Sequence, residues 1–227
     1  MRTYTFTPAQ HAVLTHYFVP DVLPLDDVAQ TTLGVAVQEL EDAEEDLREQ
    51  GLLVRPPGED IAVTGELAPL LETIMFPEQL AILRAMLQDR MQPQMYFSFV
   101  GKDAACNFVD EQGRHVLSAF DSIEQAIDEI LVTSGAHSYQ STNATNQAQP
   151  LETLITDCKI LTMLMIIDDP AQPNAKARIL SWLLARDALW LVDSSAPEEV
   201  PTARCVDYPT LHQVVTDTLI FVASARP

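Results

Sequence analysis

The first clear pattern along the chain is helical. Thr7 can cap a helix, Pro8 suits its first position, and Ala12, Val13, Leu14, Tyr17 and Phe18 supply an apolar face. Residues 19–24 break that helix, and a short one is expected after Leu25. Leu33, Val37, Leu40, Ala43 and Leu47 then recur at helical spacing, which predicts a long helix over 32–50 with Gly51 as its C-terminal cap. Two short apolar runs flank Pro56-Pro57-Gly58-Glu59-Asp60 and predict a hairpin over 52–64. Three helices followed by a hairpin is the order of a winged helix-turn-helix.

Two more helices are predicted over 66–74 and 77–89. Three strands are predicted over 95–100, 104–109 and 114–119, with turns at Gly101-Lys102-Asp103 and Asp110-Glu111-Gln112-Gly113. Asp121-Ser122 opens a helix that carries Ile123, Ala126, Ile127, Ile130 and Leu131 on one face. Residues 133–149 are rich in Ser, Thr, Asn, Gln and Ala without periodicity and read as a flexible linker. Residues 151–167 then read as an apolar helix that ends at Asp168-Asp169-Pro170.

The last third echoes the middle. Leu183-Leu184-Ala185-Arg186-Asp187-Ala188 aligns with Phe99-Val100-Gly101-Lys102-Asp103-Ala104, and residues 211–217 align with 123–129. Two like units about a pseudo-two-fold axis would produce this echo, and so would any two hairpins that each precede an amphipathic helix.

Charge changes what the winged-helix outline can mean. The chain has 33 acidic and 13 basic residues, a formal net charge of -20. Such a surface repels nucleic-acid phosphates and anionic lipid head groups. The helix that would read DNA carries Glu39, Glu41, Asp42, Glu44, Glu45, Asp46 and Glu49 against Arg48 alone. Base edges and phosphates are met mainly by Arg, Lys, Asn and Gln, so this helix fits a solvated acidic face or a protein-docking face.

Chemistry is sparse. The N-terminus has no apolar signal segment, and the apolar run 160–167 is too short to span a bilayer, so a cytoplasmic protein is expected. Cys106, Cys158 and Cys205 form no Cys-x-x-Cys pair and read as buried thiols. Asn143-Ala144-Thr145 fits the glycosylation pattern and is read as chance. His11 and His16 are five apart, off a shared helix face, and Asp26-Asp27 and Asp168-Asp169 lack a calcium-loop pattern, so no metal is expected. No nucleophile elbow, P-loop or dinucleotide fingerprint occurs, and no cofactor is expected. Trp182 and Trp190, with Phe97, Phe99 and Phe108, read as core aromatics, or as binding anchors should one sheet face be open.

Thr5-Phe6-Thr7-Pro8-Ala9-Gln10-His11-Ala12-Val13-Leu14 with Leu23-Pro24-Leu25, then Asp46-Leu47-Arg48-Glu49-Gln50-Gly51-Leu52-Leu53 and Met75-Phe76-Pro77, resembles the EspG-type chaperones of type VII secretion. The resemblance implies a quasi-two-fold α/β architecture and a cytosolic protein that holds secreted substrates; no binding residue carries over.

The sequence thus reads as an α/β (α+β) protein. Residues 1–132 would form a winged-helix-like segment and a first β-β-β-α unit, 133–149 a flexible linker, and 150–227 a helix with a second unit, or the whole one compact domain. The expected function is a non-catalytic protein-binding adaptor or secretion-type chaperone, with another protein as partner and neither nucleic acid nor membrane. A ligand-sensing regulatory domain without DNA contact is the alternative, and an enzyme with no recognisable motif the third. Candidate partner-binding residues are Glu41, Glu45, Glu49, Trp182 and Trp190.

Overall fold

A computed structural model describes residues 1–19, 37–58, 60–87, 90–139, 148–193 and 201–220. The chain opens with β1 (Arg2–Phe6) and α1 (Pro8–Phe18), followed among the described residues by α2 (Val37–Glu49), the small hairpin β2 (Leu53–Val54) and β3 (Ala62–Val63), and α3 (Ala68–Met75). Strands β4 (Gln79–Leu87), β5 (Arg90–Met91), β6 (Met95–Val100), β7 (Asp103–Val109) and β8 (His115–Phe120) lead into α4 (Ile123–Thr133) and a 3-10 turn at Ala136–Ser138. Next come β9 (Ala148–Pro150), α5 (Leu151–Ile155), β10 (Cys158–Asp168), β11 (Ala177–Ala185), β12 (Ala188–Asp193), β13 (Thr202–Val206) and α6 (Tyr208–Ile220).

Local chemistry sets many of these boundaries. The Thr7 hydroxyl accepts the Gln10 N–H while the Gln10 side chain accepts the Thr7 N–H, a reciprocal cap at the start of α1. Gly51 ends α2 in the left-handed conformation. Ser122 caps α4 by accepting the Gln125 N–H.

Two expected helices are strands. Residues 77–89 contain β4, and residues 151–167 contain only the short α5 before β10. These two strands pair with each other at the middle of the sheet, with Leu83 opposite Leu164. A central strand is covered on both faces, so it is apolar on both and loses the alternation that marks a half-buried strand. Asp168-Asp169 therefore ends a strand rather than a helix, with Asp169 at φ 52°. Strand β1 was not expected at all. The expected helix after Leu25, Asp26-Asp27 and the Asn143 motif lie outside the described residues.

The result is an α+β fold built on one large antiparallel sheet. Outward from β4 lie β6, β7, β8 and β1; outward from β10 lie β11, β12, β13 and β9. Both halves run in one order: a strand, a helical segment, a block of strands, and a helix. In each, the first strand is added beside the last. The helical segment is long in the first half (α1 to α3) and short in the second (α5). Val100 and Ala185 each close a two-residue hairpin turn, so by place in the turn Gly101 corresponds to Arg186, one position away from the alignment read in sequence.

Helices α4 and α6 cover one face of the sheet. Ile127, Ile130, Leu211 and Val215 meet Leu83, Phe97, Leu164 and Trp182 there, all fully or almost fully buried. Each such side chain contributes about 1.5–3 kcal/mol. The ends of the expected linker are packed: Ala136 is buried in this core, and β9 pairs with β13. Residues 140–147 lie outside the description.

Candidate functional site

Among the described residues, helices cover the opposite face of the sheet only at its flanks. On the first half, Leu14, Leu40, Leu47 and Leu71 of the helical segment pack on Ala105 and Leu117. On the second half, Leu154 of α5 packs on Leu183, Trp190 and Cys205. Directly opposed residues of antiparallel strands share a face. Ser98 opposes Ala105 and Leu80, and Leu161 opposes Leu183 and Met86. The same face therefore carries Leu80, Ile82, Arg84 and Met86 of β4, with Leu161, Met163, Met165 and Ile167 of β10 and Ile179 of β11.

This central strip is open. Met86 is 41% exposed, Met91 opposite it 60%, and Ile179 53%; Phe76, just past α3, is 58% exposed. Met163 and Met165 are half-buried. Together with Met75, five of the protein's seven methionines border the strip. Methionine has three rotatable bonds and a polarisable sulfur, and it suits surfaces that adapt to differing apolar partners. Exposed apolar surface of this kind, interrupted by the exposed Arg84 and the buried Ile82, suits an interaction site.

A groove of about 590 Å³ lies at one end of the strip. Ile74, Met75, Phe76 and Pro77 wall it on the α3 side, and Pro170 and Ala171 on the other. Its floor is Leu80, Tyr96, Ser98 and Asn107, and its rim carries Glu78 and Asp169. The rim is fixed by backbone bonds: the Asp169 N–H donates to the Glu78 carbonyl at 2.7 Å, and the Glu78 N–H to the Phe99 carbonyl at 2.9 Å.

The residues singled out from sequence divide sharply. Glu41, Glu45 and Glu49 are exposed in one row along α2. Trp182 and Trp190 are 0% and 5% exposed, so neither is a surface anchor. Trp182 lies in the core under α4 and α6, and the Trp190 indole N–H donates to the Ala185 carbonyl at 3.0 Å. Phe97 and Phe99 are also core, and the partly buried Phe108 packs against that core. Sequence reasoning missed the open strip because it read both of its central strands as helices. The signal was the every-second-residue series Leu161, Met163, Met165, Ile167 in a run whose apolar character is broken only by Thr162.

Elsewhere, His11 and His115 stack with ring centroids 3.9 Å apart and planes 8° from parallel. Burial first, and the facing His115 second, push His11 down to about 4; burial also lowers His115. Burial pushes the Cys106 and Cys158 thiols up, away from thiolate chemistry. Asp168 accepts from Gln79 Nε2 at 2.7 Å and Arg178 at 3.0 Å. Among the described residues, no three His, Cys, Asp or Glu side chains converge on a possible metal site, and no helix is long and apolar enough to cross a membrane.

No protein-family model matches the chain, and no curated protein does. A solved structure is similar to it: the Mycobacterium tuberculosis type VII secretion system chaperone EspG5 in complex with the PE25-PPE41 dimer. The TM-score is 0.62 at 14% identity, over 96% of each chain. At that identity the likeness is one of fold, the one that the EspG-type resemblance implied.

Proposed function

We propose that the protein is a chaperone-like holder that binds an apolar segment of another protein on the open strip of its sheet. The observation that carries this reading is the methionine-rich face that no described helix covers, between the two helical flanks. The solved chaperone of the same fold was captured holding a protein dimer, which agrees with a protein-facing role. The acidic row Glu41, Glu45 and Glu49 is a second surface, suited to a basic part of the same partner.

Co-purification from the native cell tests this. Met165→Asp and Ile179→Asp place charge on the strip and are expected to abolish capture of a stoichiometric partner while leaving the fold intact by circular dichroism. Glu41→Lys with Glu45→Lys and Glu49→Lys should change the salt dependence of capture, lowering affinity about tenfold or less. Capture that survives both strip substitutions would refute the reading.

A further inference from the structure

On the open face of β4, Arg84 is the one charged side chain, exposed between Ile82 and Met86. Met163 lies directly opposite it on β10. The Arg84 Nε–H donates to the Gln94 side-chain oxygen, and the Gln94 amide in turn donates to the Tyr96 hydroxyl. Tyr96 opposes Ile82 and so stands on the same face. This relay restrains the guanidinium through its Nε and leaves the Nη groups turned to other partners. Among the described residues, no carboxylate pairs with Arg84, although the chain has 33 acidic residues. Arg90, on the neighbouring β5, does pair, with Glu111. An apolar segment laid over the strip takes Arg84 out of water, and a guanidinium buried without an anion is strongly unfavourable.

We propose that Arg84 selects the partner: the segment held on the strip is apolar and carries one acidic side chain, which accepts from the Arg84 Nη groups. The proposal rests on the reading of the strip as a protein-binding face. Guanidinium and carboxylate match as two parallel N–H···O bonds, and an apolar surround that excludes water strengthens them. An acidic side chain fits the place of Arg84 better than a chain-terminal carboxylate does. Leu80 lies to one side of it along β4 and Met86 to the other, so the occupant runs on past it in both directions. A single carboxylate also suits a chain of net charge -20, since a segment with many would be repelled before it docked.

Blocked tripeptides test this on the intact protein labelled at its methionine methyl groups, in about 150 mM sodium chloride to screen the net charge. Acetyl-Leu-Glu-Leu-amide should shift the Met86 and Met163 methyl signals saturably and leave Met1 unmoved. It should bind about tenfold more tightly than acetyl-Leu-Gln-Leu-amide. Arg84→Gln changes an exposed side chain, so the fold is kept, and it should erase that preference. A preference that survives in Arg84→Gln, or no saturable shift at Met86 and Met163, overturns the proposal. So does tighter binding of acetyl-Leu-Leu-Leu as the free acid, which would make the site a receptor for chain ends. Equally tight binding of propionate would make it a small-anion site and overturns the proposal too. Saturable but equal binding of the Glu and Gln peptides would sink this inference and leave the holder reading standing. Partner capture that is lost in Met165→Asp yet unchanged in Arg84→Gln would do the same.

Discussion

His11 and His115 stack between α1 and the first residue of β8, so they join the helical segment to the sheet. An imidazole that titrates near 6.5 when unfolded and about 4 when folded binds its proton more readily in the unfolded chain. Its contribution to stability is full above pH 6.5 and is lost as the pH falls toward 4, a loss of about 2 kcal/mol by pH 5. Urea unfolding of wild type and His11→Phe at pH 7 and pH 5 should show the variant losing less over that interval. Gly135 gives a second residue-scale test. It holds φ 71°, and an added Cβ would lie 2.7 Å from Ile160 Cδ1; Gly113, at φ 77°, faces open space. Gly135→Ala and Gly113→Ala should each cost about 1–2 kcal/mol for the left-handed backbone, and Gly135→Ala the more. At this scale the sequence was legible where a residue acts locally, as with Thr7, Gly51 and Ser122. It was not legible for Trp182 and Trp190, because burial of an indole depends on what the far strands bring over it.

Among elements, β4 carries the main lesson. Gln79, Leu80, Ala81, Leu83, Arg84 and Met86 are good helix formers, yet the segment is a strand because β6 and β10 flank it. Leu83 and Leu164, opposed at the centre and 1% and 0% exposed, make that pairing measurable. Leu83→Ala and Leu164→Ala should each cost about 2–5 kcal/mol in denaturant unfolding. The three short strands read between turns, β6 to β8, agree with the structure to within a residue at each end. Helix α2 shows the opposite balance. Its buried Leu40, Ala43 and Leu47 stripe was plain, and its outer face carries Glu41, Glu45 and Glu49 one turn apart. Glu45→Lys turns two like-charge pairs into attractive ones and should raise thermal stability by about 0.4–1 kcal/mol.

At the scale of the whole molecule, net charge acts on the compact state as a unit. A net charge of -20 makes the compact state repel itself, and salt screens that repulsion. The melting temperature should rise between 20 and 300 mM sodium chloride; a flat or falling curve would mean that attractive ion pairs dominate instead. The mixed α+β class could be read from the chain, since strands and helices of both kinds were visible. The way the halves join could not, because it depends on the two strands whose composition hides them. That junction also bears on how the protein is made. The middle of the sheet exists only when β4 meets β10, and the chain between them includes all of β5 to β9. Contacts so distant in sequence form slowly, since a large loop must close before they return any energy. During synthesis, the first half therefore waits with one long apolar strand edge unpaired, which is where a growing chain is prone to aggregate. A protein that we propose shelters the apolar segments of others would, on the ribosome, be in need of shelter itself.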